Sequence, residues 1–115
     1  MIAEDLYKFI DSCNTEFDLL KLGYLEELLK QDKRNLKAYA QKINADVTLF
    51  LQAKRPLFDP FPEVGREYYE FMRSIVQFTD SCCEALSRMS KVERKVMLDY
   101  IELQACKHGN TLERR

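Results

Sequence analysis

The sequence predicts an all-α protein: a four-helix up-down-up-down bundle, built as two helical hairpins joined by a proline-rich corner. Three observations predict it. Apolar residues recur at steps of three and four through most of the chain, the period of one face of an α-helix. Glycine and proline are scarce, 3 of each in 115 residues, which leaves little turn chemistry for a many-stranded fold. Finally, Pro56, Pro60 and Pro62 are all the prolines, and they fall together near the middle of the chain, in the stretch 55–65. A proline ring removes a helix hydrogen bond, presses on the preceding turn and drives the residue before it towards extended geometry.

The first helix is expected over about residues 3–31, where Leu6, Phe9, Cys13, Phe17, Leu20, Tyr24 and Leu28 form one stripe. Ile10, Leu19, Leu22, Leu25 and Leu29 lie beyond that stripe. They give this helix more apolar surface than one groove needs, enough for a second neighbour or a second copy of the chain. Asn14-Thr15 and Gly23 are its weak points, and a split at Asn14-Thr15 would make five shorter helices instead of four. Asp32 is placed to cap the second helix, its carboxylate accepting from free first-turn amides.

The stripe of that second helix, Leu36, Ala40, Ile43, Val47 and Phe50, is expected to end near Lys54, ahead of Pro56. It passes Asn44 without a change of phase, which favours a continuous helix over a helix-turn-helix reversing there. A third helix is expected over about residues 63–89, on Val64, Tyr68, Phe71, Ile75, Phe78, Cys82, Leu86 and Met89. Ser90-Lys-Val-Glu93 is a capping box that opens a fourth helix carrying Val96, Met97, Tyr100 and Ile101. Gly109 is its expected stop, with Lys107 and His108 facing the negative end of the dipole and residues 110–115 a disordered tail. The whole reads as one helical domain, 1–115.

Charged residues make up 32% and apolar residues 46%, as in a soluble globular protein, and the net charge of -1 gives no global pull on nucleic acid or anionic membrane. The acidic start predicts no signal peptide, and no apolar run approaches the roughly 20 residues that span a bilayer. Cys13, Cys82, Cys83 and Cys106 sit in or beside helical patterns, not loops, which points to reduced thiols and a cytoplasmic setting.

Catalytic and metal chemistry finds little support. His108 is the single histidine, with Cys106 two residues away. No CxxC, HExxH or Glu-x-x-His pattern and no glycine-rich phosphate loop is present. Cys82 and Cys83 diverge by about 100° on a helix. Glu63, Glu67 and Glu70, like Asp11, Asp18, Glu26 and Glu27, read as solvated surface charge. The expectation is a protein with no metal and no cofactor that is not an enzyme.

Two surfaces are candidates for binding. Lys30, Lys33, Arg34 and Lys37 precede and open the second helix, while Arg88, Lys91, Arg94 and Lys95 surround the start of the fourth. An up-down bundle would bring these clusters to one basic end suited to phosphates. Dipole complementarity does not account for Lys91, Arg94 and Lys95, since positive charge is unfavourable at a helix start. At the opposite end, Phe58, Phe61, Tyr68 and Tyr69 would make an aromatic patch if the corner does not fold back over the core. The expected function is that of a small non-enzymatic protein-binding module, an adaptor, inhibitor or regulatory subunit, with a homodimer among the candidate assemblies. The alternative is a nucleic-acid-associated regulatory protein using the basic end.

Overall fold

The periodic pattern becomes five α-helices in a computed structural model, which describes the backbone of residues 3–113 and the side chains of residues 3–104. They are α1 (Ala3–Ser12), α2 (Glu16–Leu29), α3 (Leu36–Phe58), α4 (Pro62–Ser87) and α5 (Lys91–Glu113). The described residues contain no strand.

The single first helix expected from the stripe is corrected to two, and the four-helix count with it. Thr15 takes an extended conformation and its hydroxyl accepts from the Asp18 amide at 3.0 Å, so α2 starts afresh at Glu16. Glu16 and Asp18 then place negative charge against the positive end of the α2 dipole. This cap outweighs the continuity of the apolar stripe, because the break frees α1 to turn away. Phe9 reaches Phe78 of α4 (ring centroids 4.7 Å apart), and Tyr7 meets Tyr100 of α5 edge-on. The Tyr100 hydroxyl also donates to the Asp11 carboxylate.

The surplus apolar residues of this segment are core. Leu22, Leu25 and Leu29 are buried because α2 packs against α3, α4 and α5 together, and Ile10 is buried on α1; only Leu19 of that set stays exposed. The extra width of this apolar face thus serves several neighbours within the chain, as the sequence predicts.

Asp32 caps nothing with its side chain. A single 3-10 turn, Lys33–Asn35, intervenes, held by the Asn35 amide donating to the Asp32 carbonyl at 2.8 Å. Next, α3 runs unbroken through Asn44, whose side-chain amide donates to Asp80 of α4 at 2.9 Å. It also runs past Pro56 to Phe58, four residues beyond the expected end at Lys54. Pro56 is tolerated because it stands in the last turn, where its missing N–H costs a single helix bond. The reversal falls at Asp59–Phe61, with the Phe61 amide donating to the Phe58 carbonyl at 2.8 Å. Pro62 then opens α4, the position where its fixed φ suits a helix. A side chain at Gly65 would place its Cβ 3.2 Å from that of Phe58, so glycine lets the two helices close up beside the turn.

The capping box forms as expected: the Glu93 amide donates to the Ser90 hydroxyl at 3.1 Å and the Ser90 amide to the Glu93 carboxylate at 3.0 Å. Gly109 does not end α5, which is helical to Glu113. The side chains of Cys106, Lys107 and His108 lie outside the described residues, as do residues 114–115 of the expected disordered tail; its first four positions, 110–113, belong to α5.

All five helices contribute to the core, through Leu6, Leu25, Leu36, Ile75, Leu86 and Ile101 among others. The molecule measures 48 × 40 × 19 Å. Since a helix with its side chains is about 10 Å across, this is a slab two helices deep. Burial stops along the antiparallel α3–α4 hairpin before the hairpin does. The last buried residue of α3 is Val47 and the first of α4 is Met72, and none of residues 48–71 is buried.

Ser90→Ala should destabilise the fold by about 1 kcal/mol in denaturant titrations. Hydrogen bonds from Ser90 hold the Glu93 carboxyl below its ordinary value. Its contribution is thus complete above the unfolded carboxylate range and is lost as pH falls through the folded value. The stability gap between the natural chain and Glu93→Ala should accordingly close towards acid.

Candidate protein-binding surface

Residues 48–71 hold Phe50, Phe58, Phe61, Tyr68, Tyr69 and Phe71, six aromatics in 24 residues. One face of this hairpin arm leans on the body through a run of ring-to-ring contacts. Phe58 and Phe50 meet Tyr68 at 4.6 and 6.0 Å, Tyr68 meets Phe71 at 6.2 Å, and Phe71 meets Phe17 of α2 at 3.9 Å. Phe17 is in the first turn of α2, so the cover that α2 provides ends there.

Of the four aromatics expected to form a patch, Phe58 and Tyr68 are half-buried in this ladder, and burial raises the Tyr68 hydroxyl above its ordinary value. Phe61 and Tyr69 are open to solvent, 62% and 56% exposed, together with Leu57 and Val64. The corner does not fold back over the core.

The other face of the arm carries a groove. Two adjoining hollows of about 660 and 200 Å³ lie between α3 and α4 and share Thr48, Leu51 and Tyr69. Together they run from Phe58 and Gly65 beside the reversal to Met72 and Val76. Arg55, which reaches Asp59 at 3.9 Å, stands on the α3 side, and Arg73 stands on the α4 side. Among the described residues, no carboxylate lies within 4 Å of Arg73, nor of the exposed Arg66 two turns before it.

Leu51, Arg55, Met72 and Arg73 were not legible as site residues. The signal was a second stripe on α3, Thr48-Leu51-Arg55, beside the core stripe. It became meaningful only once α3 was known to continue past Pro56.

At the other end, Lys33 and Lys37 line one hollow with Glu84 and Ser87, so the start of α3 and the end of α4 lie together. Much of the positive charge there is already engaged. Lys30 pairs with Glu26 and Glu27, Arg34 with Asp32 at 3.8 Å, Arg88 with Glu84 at 2.7 Å and Lys95 with Asp99 at 3.0 Å. Arg94 is buried and donates to the Met89 carbonyl at 2.9 Å, tying the α4–α5 corner. That bond explains a positive charge at the start of α5 and corrects its place in a solvent-facing cluster. Lys33, Lys37 and Lys91 have no carboxylate within 4 Å among the described residues.

Among the described residues, no group of three or more histidine, cysteine, aspartate or glutamate side chains is arranged to hold a metal. Burial pushes the Cys82 thiol up to about 12 and, with the Asp18 carboxylate adding, the Cys13 thiol up to about 11. Burial also raises the Cys83 thiol. Thiols so placed stay protonated at neutral pH and are poor nucleophiles. No helix among the described residues is long and apolar enough to cross a membrane.

The chain matches no protein-family model, and no curated protein and no solved structure shows significant similarity to it.

Alkylation of the native protein at neutral pH, read by peptide mass, should leave Cys13 and Cys82 unmodified while Cys83 reacts slowly. Denaturation should expose all three equally.

Proposed function

We propose that the chain is a small non-enzymatic protein-binding module, an adaptor, inhibitor or regulatory subunit of the cytoplasm, with the far half of the α3–α4 hairpin as its working surface. Its helices return on one another in the up-down manner, so that the hairpin is held at one end and free at the other. One observation carries this reading: two helices continue together beyond the core, rich in aromatics, with no residue between 48 and 71 buried. Covering an exposed Leu57 or Phe61 is worth about 1.5–3 kcal/mol each, a gain the isolated chain leaves unused. Clustered aromatics of this kind are the usual anchors of protein interfaces.

The second reading is a nucleic-acid-associated protein that grips phosphates through Lys33, Lys37 and Lys91. What favours it is that these three lack a carboxylate partner among the described residues. It is the weaker reading, because Lys30, Arg34, Arg88 and Lys95 face local acids and Arg94 is buried.

Immobilised protein exposed to an extract of its native source separates the two. Protein capture should fall about tenfold or more with Phe61→Ala and change little with added salt. Charge reversal at Lys33, Lys37 and Lys91 together should leave it intact. Capture of nucleic acid that declines steeply with salt and vanishes on that charge reversal would favour the second reading.

A further inference from the structure

We infer that the groove between α3 and α4 receives an acidic amphipathic helix, about three turns long, from a partner protein; this rests on the protein-binding reading and names the occupant. The length comes from the groove itself, which follows α3 from Val47 to Asp59. At 1.5 Å per residue that is roughly 18 Å, three turns of a helix lying alongside. The floor is apolar, from Leu51 and Phe58 on α3 to Met72 and Val76 on α4. A helix presenting apolar residues at i, i+3 or i+4, and i+7 fills such a trough, since the groove between two helices is itself shaped to take a third.

Charge selects among the helices that would fit. Arg55, paired with Asp59 at 3.9 Å, stands on one wall and Arg73, with no carboxylate within 4 Å among the described residues, on the other; exposed Arg66 precedes Arg73 by two turns on α4, outside the lining. The acidic residues of this part of α4, Glu63, Glu67 and Glu70, do not line the groove. The lining is therefore net positive, its unpaired cation being Arg73, so a helix flanked by glutamate or aspartate is favoured over a basic one. The same argument sets aside two nearer occupants. A second copy docked groove to groove would bring together two linings that each carry Arg55 and Arg73 against Asp59, both net positive. The chain's own C-terminal stretch, with Lys107, Arg114 and Arg115 against Glu113, has the wrong sign.

The test is selection from a displayed library of randomised amphipathic 14-residue helices of every net charge, with the intact protein as bait. Enriched peptides should be acidic and helical when bound. Their affinity should fall about tenfold or more with Tyr69→Glu, and again with Arg66→Glu plus Arg73→Glu. All three residues are solvent-exposed, and circular dichroism of each variant confirms that it folds. Enrichment of neutral or basic peptides, no enrichment, or peptides that bind the variants equally well would overturn the inference. So would sedimentation showing a dimer that Tyr69→Glu dissociates, since a second copy would then hold the groove. If partner capture remains sensitive to Phe61→Ala while the library selects nothing acidic, the protein-binding reading stands and only the acidic helix fails.

Discussion

The start of α2 decides how much of the α3–α4 hairpin can be covered. α2 runs alongside α4 in the same direction: Phe17 lies on Phe71, and Lys21 sits over Phe78 one to two turns further on. An unbroken helix from residue 3 would have continued past Phe71 towards the proline reversal and roofed the arm. The Thr15 cap prevents this. α2 begins at Glu16, α1 swings across to Phe78 and Tyr100, and cover stops where α2 starts. The helices α3 and α4, of 23 and 26 residues, then extend beyond a 14-residue α2. The bare arm follows from one hydroxyl–amide bond and the helix lengths on either side of it.

The charge distribution follows the same local logic. Half of the eight cations that cluster in the sequence are answered locally, by Glu26, Asp32, Glu84 or Asp99. Exposed pairs of this sort contribute little to stability, but they remove the concentrated field a phosphate-binding surface would need. Arg94 goes further and serves as a structural tie on the Met89 carbonyl. Beside the groove, Arg66 and Arg73 also lack a close carboxylate among the described residues, so unpaired positive charge stands next to the apolar arm as well as at Lys33, Lys37 and Lys91.

Much of the helical content was legible in the sequence. Periodicity located α3, α4 and the body of α5, and Ser90 and Glu93 marked the start of α5 because both halves of a capping box are side chains with fixed spacing. The break before α2 was legible only as a weak point. An apolar stripe continues through Cys13 and Phe17 whether or not the backbone does, and a single threonine cap settles the matter. Pro56 misled in the other direction: a proline in a final turn costs too little to end a helix. The patch was half legible. Phe61 and Tyr69 stood out as aromatics near a corner, whereas Leu51 and Met72 look like any core residue until they are seen to stand where burial runs out. Arg94 was unreadable as a tie, since its partner is a backbone carbonyl.

The uncovered arm is tested most directly by hydroxyl-radical footprinting of the isolated monomer, with side-chain oxidation read by mass spectrometry. Tyr69, Phe61 and Leu57 should be heavily oxidised, while Phe78 and Ile75 stay protected at the same dose. Protection of Tyr69 and Phe61 to the level of Phe78 in the monomer would show that the chain covers its own arm, and would contradict the account.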